Sequence, residues 1–370
     1  MRTSVQLTAD AGSWAESVDF VTGAEALGVD AVWVAEAWGS DAASPLGYLA
    51  ARTERVALGA SVFQVGVRSA VMTAQTALTL NELSQGRFVL GLGVSGPQVM
   101  EGLHGVGFAD PLGRMAETLD VIGQAFAGER IAYAGRHLRL PLAGGEGKSL
   151  RLSIRSGTAP PVYLASMLPR MLELTGERAD GWLGTSFVPE GAEDAYFRHL
   201  RAGAARAGRT LDDIDICQGA EVAFARDEAE LTAMIDARRA GLAFSLGGMG
   251  SGRSNYFNSA YARQGFADVA AESQRLWLAG DRPGAAAAIP DEMVLATTLI
   301  GTVEMVRDRL AGWAAAGVDS HPPTNCARYS VRPVGRRRSG WRRYRSKRSS
   351  RRRKIGTVCE NIKTPSKRES

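Results

Sequence analysis

An apolar strand followed by a helix, repeated along the chain, is the pattern that most restricts what this sequence can become. Apolar runs over residues 5–7, 31–35, 56–62, 88–92, 162–165, 181–184 and 214–224 each read as a strand. Helical segments over 14–27, 69–83, 111–126, 169–179 and 192–207 fall between them. Parallel neighbours need such crossovers, since a tight turn can only join antiparallel strands. Seven strands alternating with helices, and an eighth opening at 317–318, predict the α/β class and a (β/α)8 TIM barrel. An open doubly wound sheet would more naturally carry its glycine turn after the first strand than the fourth.

Two stretches interrupt the rhythm and read as loop insertions. Residues 128–157 hold short alternating pieces and the loop GGEG, which suggests a small hairpin. Residues 241–258 contain GGMGSGRSN and read as a second, flexible excursion. From His321 the composition itself changes. The last 50 residues hold 17 Lys and Arg against two acids, leaving 27 basic and 37 acidic residues for 1–320. The chain therefore divides into a barrel domain over 1–320 and a basic tail over 321–370, expected to be disordered.

Pro322 and Pro323 stand where ladder hydrogen bonds are needed, so the eighth strand is expected to be replaced by aberrant tail sequence. The barrel would then stay open at the edges of strands one and seven. A basic arm for nucleic acid or an acidic surface is the other reading of the tail, but a charge block alone is a weak motif. The acidic body argues against a nucleic-acid binder. No apolar run approaches a membrane span, and no signal-peptide pattern follows Met1, so a cytoplasmic protein is expected. Three scattered cysteines indicate neither a disulfide framework nor a metal site.

In a barrel the C-terminal strand ends meet at one face, where ligands bind. The fourth strand opens there into GVSGP, a turn that lets a ligand approach the backbone. Glu36 and Trp38 end the second strand, Ala60 and Ser61 the third, with Arg68 beyond as an anion contact. Ser166, Thr185 and Ser186 end the fifth and sixth. Taken singly, Glu36 reads equally as a capping or salt-bridged acid, Trp38 as packing, and Thr185 and Ser186 as turn residues. His104 and His199 lack metal partners, and Lys148, the body's only lysine, lies in a loop, which argues against Schiff-base chemistry.

The segments EAWGSDA, LGASVFQVGVRS, TLNELSQGRFVLGLGVSGPQVMEGLHG, LASMLPRMLELTGERADGWLGTSF and LIGT, in that order over 1–320, resemble the luciferase-like monooxygenase family. Within it, the branch of coenzyme F420-dependent oxidoreductases related to methylenetetrahydromethanopterin reductase is the most similar. The resemblance implies a deazaflavin over the strand ends and hydride transfer to or from a small organic substrate. It further implies a non-prolyl cis peptide at Ser61–Val62, in a bulge backing the ring beside Ala60. Val94, Ser95 and Gly96 would flank the coenzyme, while Ala165, Ser166, Met167, Thr185 and Ser186 would contact the ring edge or the phosphate-bearing side chain. Glu36 matches an acid placed near the coenzyme and is the candidate catalytic residue. Two positions depart from relatives: Ala37 replaces a proton-transferring histidine, and Gly96 a glutamate. An FMN-dependent monooxygenase using oxygen, and a non-catalytic flavin-binding protein, are the alternatives. A homodimer is a further expectation.

Overall fold

Parallel strands run around a closed circuit in the computed structural model, which describes residues 2–7, 13–154, 157–251 and 254–318 and the backbone of 326–330. In order round the ring come Arg2–Leu7, Ala31–Val34, Ala57–Ala60, Phe88–Gly93, Val162–Leu164, Gly181–Gly184, Asp215–Phe224 and Cys326–Ser330. All seven strands expected from the sequence are present, with ends shifted by a few residues. The third is the most altered. It stops at Ala60, and the chain pairs with the fourth strand again only at Phe63–Gln64.

The open ring expected from the prolines is not what the structure shows. Cys326–Ser330 pairs in parallel with the first strand, Arg2 opposite Cys326 through Val5 opposite Tyr329. On its other side it pairs with the seventh, Cys217 opposite Cys326 through Glu221 opposite Ser330. Pro322 and Pro323 precede the paired segment rather than interrupt it, so every residue in the ladder has an N–H to donate. The rest of the tail lies outside the described residues.

Two apolar layers hold the ring. Inside, Trp33, Val89, Tyr163, Leu183 and Cys217 pack together. Gly59 is glycine because the Trp33 ring occupies its side-chain space: a Cβ there would lie 2.2 Å from the indole. Outside, Val32, Leu58, Leu90 and Leu92 pack against the helices. Helix Pro111–Phe126 shows how the sequence secures that layer. Asp110 caps it by accepting from the Gly113 N–H, Pro111 fits its first turn, and Met115, Thr118, Leu119 and Ile122 bury one face.

Of the insertions, the first contains the expected hairpin, Tyr133–Ala134 against Arg139–Leu140. The second is largely helical within its described residues. The helix Glu228–Ala243 leads into it, and Tyr256–Tyr261 leaves it. Asn255 Nδ2 donates to the Ser245 and Leu246 carbonyls and Asn258 Nδ2 to that of Ala270, so amide side chains fasten the chain on either side of the glycine-rich stretch. Ile235, Leu242, Leu246, Tyr261 and Met293 form a separate core there, above the seventh strand. Leu299–Gly301 extends that strand's pairing at Val222–Phe224. No helix among the described residues is long and apolar enough to cross a membrane.

Candidate active site

Side chains alternate along a strand, so the residues above the inner core can be followed upward. Two positions beyond Trp33, Tyr163, Leu183 and Cys217 stand Ala35, Ala165, Thr185 and Gly219. All four keep some exposure, as does Ser61 of the third-strand bulge, whereas the outward-facing Val34, Leu92 and Leu164 are buried. The C-terminal rim thus has a basin open on its inner side, walled by small residues and floored by Trp33 and Tyr163, whose rings lie 5.8 Å apart.

The third and fourth strands make one wall. The Ser61–Val62 peptide is cis, at the bond the resemblance singled out. Val62 fills the space above Gly93, where a Cβ would sit 2.5 Å from Val62 Cγ2, so the glycine is what lets the bulge lie against the fourth strand. Ser95 follows in the left-handed region at φ 59, an unusual conformation for a side-chain-bearing residue and one often found at ligand sites. Behind this turn a small recess is lined by Val65, Val94, Met100, Phe108 and Arg114. The Arg114 guanidinium has no ion pair or hydrogen bond among the described residues.

Not every expected contact residue faces the basin. Ala60 is fully buried in the outer layer, leaving only its backbone to meet a ligand. Ser166 is buried too, its hydroxyl 2.8 Å from that of Thr175 and its carbonyl accepting from the Trp182 indole. Val62, Val94, Ser95, Gly96, Ala165, Met167 and Thr185 are half-buried around the rim.

Glu36 is tightly held. Its Oε2 accepts from Arg68 Nη2 and from the Ala42 N–H, both at 3.0 Å, and its Oε1 from the Gln64 N–H at 3.3 Å. Its side chain is only 7% exposed. Arg68 also lies 4.9 Å over the Phe63 ring and 4.0 Å from Asp41, so the anion it meets is the protein's own. This network joins the end of the second strand to the resumed third strand.

On the opposite side the sixth-strand turn is fixed by groups the sequence reading missed. Ser186 adopts φ 55, and its carbonyl accepts from Gln264 Nε2 at 2.6 Å and from the Tyr196 hydroxyl at 3.0 Å. Gln264 Oε1 accepts from the Val188 N–H. Burial pushes the Tyr196 and Tyr261 hydroxyls up, so both stay protonated. Arg263 donates to the Met167 and Ala195 carbonyls, and burial lowers its pKa. Tyr196 lies ten residues on, but Tyr261, Arg263 and Gln264 come just after the second insertion, nearly 80 positions away, where no strand pattern marks them. His199 packs between helices 3.7 Å from Glu173, held below its ordinary pKa by burial.

The sequence profile of the family described as luciferase-like monooxygenase matches residues 1–320. A Mycobacterium tuberculosis protein carrying the name of a coenzyme F420-dependent oxidoreductase is 39% identical over 331 residues, covering 86% of this chain and 94% of that one. The 5,10-methylenetetrahydromethanopterin reductase of Archaeoglobus fulgidus is 28% identical over 81% of this chain and 86% of its own. Among solved structures, the coenzyme F420-dependent tetrahydromethanopterin reductase of Methanopyrus kandleri superposes with a TM-score of 0.75, at 21% identity and 97% coverage of both chains. That likeness shows the barrel fold.

Proposed function

The chain belongs to the luciferase-like monooxygenase family, and from that premise we propose that it is a coenzyme F420-dependent oxidoreductase, passing a hydride between the deazaflavin and a small organic substrate. Relatives whose names include F420 support the coenzyme. The observation that carries the reading is the row of part-exposed small residues on the inner side of the rim, Ala35, Ser61, Ala165, Thr185 and Gly219. Small residues above Trp33 and Tyr163 leave room for a flat ring to approach the strand ends.

Ser61 and Val62 would back the ring, Val94, Ser95 and Gly96 would flank it, and Ala165, Met167 and Thr185 would meet its other edge. The unpaired Arg114 guanidinium, behind Val94, has the charge to hold the coenzyme's anionic side chain. Bound coenzyme F420 supplies the ring carbon that takes up or releases hydride. The protein supplies alignment and excludes water. Glu36 acts by position: with all its strong donors supplied by the chain, it braces the bulge that carries Ser61 and Val62.

Titration of the full chain with F420, followed by quenching of the coenzyme's fluorescence, tests the reading. F420 should bind at least about 100-fold more tightly than FMN, a gap of about 2.7 kcal/mol. Tighter binding of FMN, with oxygen consumption when it is reduced, would put the chain among the monooxygenases instead.

A further inference from the structure

The seventh strand carries a carboxylate that neither the sequence reading nor the resemblance used. Cys217 packs inside the ring, while Ala220 and Val222 pack outside with Trp182 and Leu299. Alternation therefore continues the inward row through Gly219 to Glu221. Pairing with the sixth strand ends at Gln218 opposite Gly184, so Glu221 stands three residues beyond it, at the rim. Glu221 Oε2 lies 3.4 Å from Arg238 Nε, on the helix Glu228–Ala243, with the two side chains 30% and 25% exposed. Arg238 also acts electrostatically on Tyr261, whose hydroxyl bonds the Ser186 side chain. The pair thus sits beside the sixth-strand turn, across the basin from Ser61 and Val62.

An acid that exchanges a proton with substrate must be reachable and must have lone pairs to spare. Glu36 is only 7% exposed, and three of its roughly four lone-pair sites are taken by donors of the chain. Among the described residues Glu221 has one partner, Arg238 at 3.4 Å, and its side chain is 30% exposed. We propose that Glu221 exchanges a proton with the substrate oxygen, that Arg238 positions it, and that the substrate is a neutral alcohol or the corresponding carbonyl compound. The proposal rests on the hydride-transfer reading above. In the oxidising direction the carbinol C–H bond breaks with its electron pair leaving as hydride to the oxidised deazaflavin, the named two-electron acceptor. The O–H proton passes to a Glu221 carboxylate oxygen, and the O–H electron pair becomes the second C–O bond. The substrate is assigned as neutral because, among the described residues, the Glu221–Arg238 pair cancels its own charge, and Arg263 donates to carbonyls of the chain.

The test uses the full chain loaded with F420 and a panel of neutral primary, secondary and cyclic alcohols with their aldehydes and ketones. Glucose 6-phosphate serves as the anionic comparator, and turnover is read from the coenzyme's absorbance. At least one neutral pair should be turned over. Glu221→Gln should lower its kcat about 100-fold, the scale of a lost general acid–base group. Coenzyme affinity and melting temperature should hold, with affinity within about twofold, well under 1 kcal/mol. Glu221→Asp should recover part of the rate, and Arg238→Lys should fall between. Unchanged kcat in Glu221→Gln, turnover of glucose 6-phosphate alone, or F420 binding with no turnover on the panel would each overturn the proposal. Failure of the unmodified protein to bind F420 would overturn the coenzyme reading, and this assignment with it.

Discussion

The two sides of the basin each carry a glutamate beside an arginine, and the pairs are built for different work. On the second- and third-strand side, Glu36 and Arg68 are 7% and 22% exposed, and the carboxylate accepts three hydrogen bonds. On the seventh-strand side, Glu221 and Arg238 are 30% and 25% exposed and touch at 3.4 Å. Residue type is the same on both sides. What differs is how many donors the backbone sends to the acid, and the proposed roles of brace and proton carrier rest on that difference.

Removing each acid should separate the two most widely. Glu36→Ala strands the Arg68 guanidinium and two backbone donors in a largely buried setting, which should cost about 3 kcal/mol in a urea unfolding series. Glu221→Ala breaks a more exposed contact, and less than about 1 kcal/mol is expected. Equal losses would erase the distinction between brace and reagent.

A third acid–arginine pair, at the base of the barrel, extends the comparison to pH. Asp215 is buried, bonded to Arg2 and to the Tyr163 hydroxyl, and its Oδ1 has no donor. Burial outweighs both partners and lifts its pKa from 3.8 to about 6. A raised pKa means that the folded state holds the proton more tightly than the unfolded chain does. Its stabilising effect is therefore complete below about pH 4 and disappears as pH rises through about 6, a change of roughly 3 kcal/mol for this group. In Asp215→Asn that component of the pH dependence should vanish, leaving a flatter stability profile between pH 4 and about pH 6. An unaltered profile would mean that the partners offset burial and leave this carboxyl without a net shift.

The wall beside Glu36 can be tested without touching a charge. Gly93→Ala would bring a methyl 2.5 Å from Val62 Cγ2, and overpacking of this kind costs about 2 kcal/mol. Adding Val62→Ala should restore much of the loss, and coenzyme affinity should follow in the same order. Additive effects would show that Gly93 and Val62 do not share the contact the geometry gives them.

How much of this could be read beforehand depended on where each signal resides. The ring strands were legible because sequences such as AVWVA and FVLGLG are buried on both faces and therefore apolar throughout. The eighth does not open at 317–318, which end the helical turn Ala314–Val318; its ladder begins only at Cys326, past Pro322 and Pro323, where a basic, polar composition hides the strand. The helix Glu228–Ala243 gave little pattern, since only Ile235, Leu242 and Ala243 are buried along it. Arg238 was missed for that reason. Glu221 had a usable signal, the inward period running from Cys217, but its meaning depended on Arg238. Gln264 and Arg263 act through backbone carbonyls of the fifth and sixth strands, contacts that leave no mark on local sequence.

The smallest effect concerns a cation that, unlike Arg68 and Arg238, has no acid of its own. Arg114 reaches the recess beside Val94 and Met100 with its guanidinium unpaired among the described residues. If it holds the coenzyme's anionic side chain, Arg114→Gln should weaken F420 binding about tenfold, near 1.4 kcal/mol, with the unfolding midpoint unchanged. Raising the salt concentration should weaken the unmodified protein towards the variant, because a half-exposed ion pair is screened. A deazaflavin riboside without the phosphate should bind both proteins alike. Equal losses for the two ligands would move Arg114 from the anionic chain to the ring, and the fourth-strand side would then need a different account of where the coenzyme's charge lies.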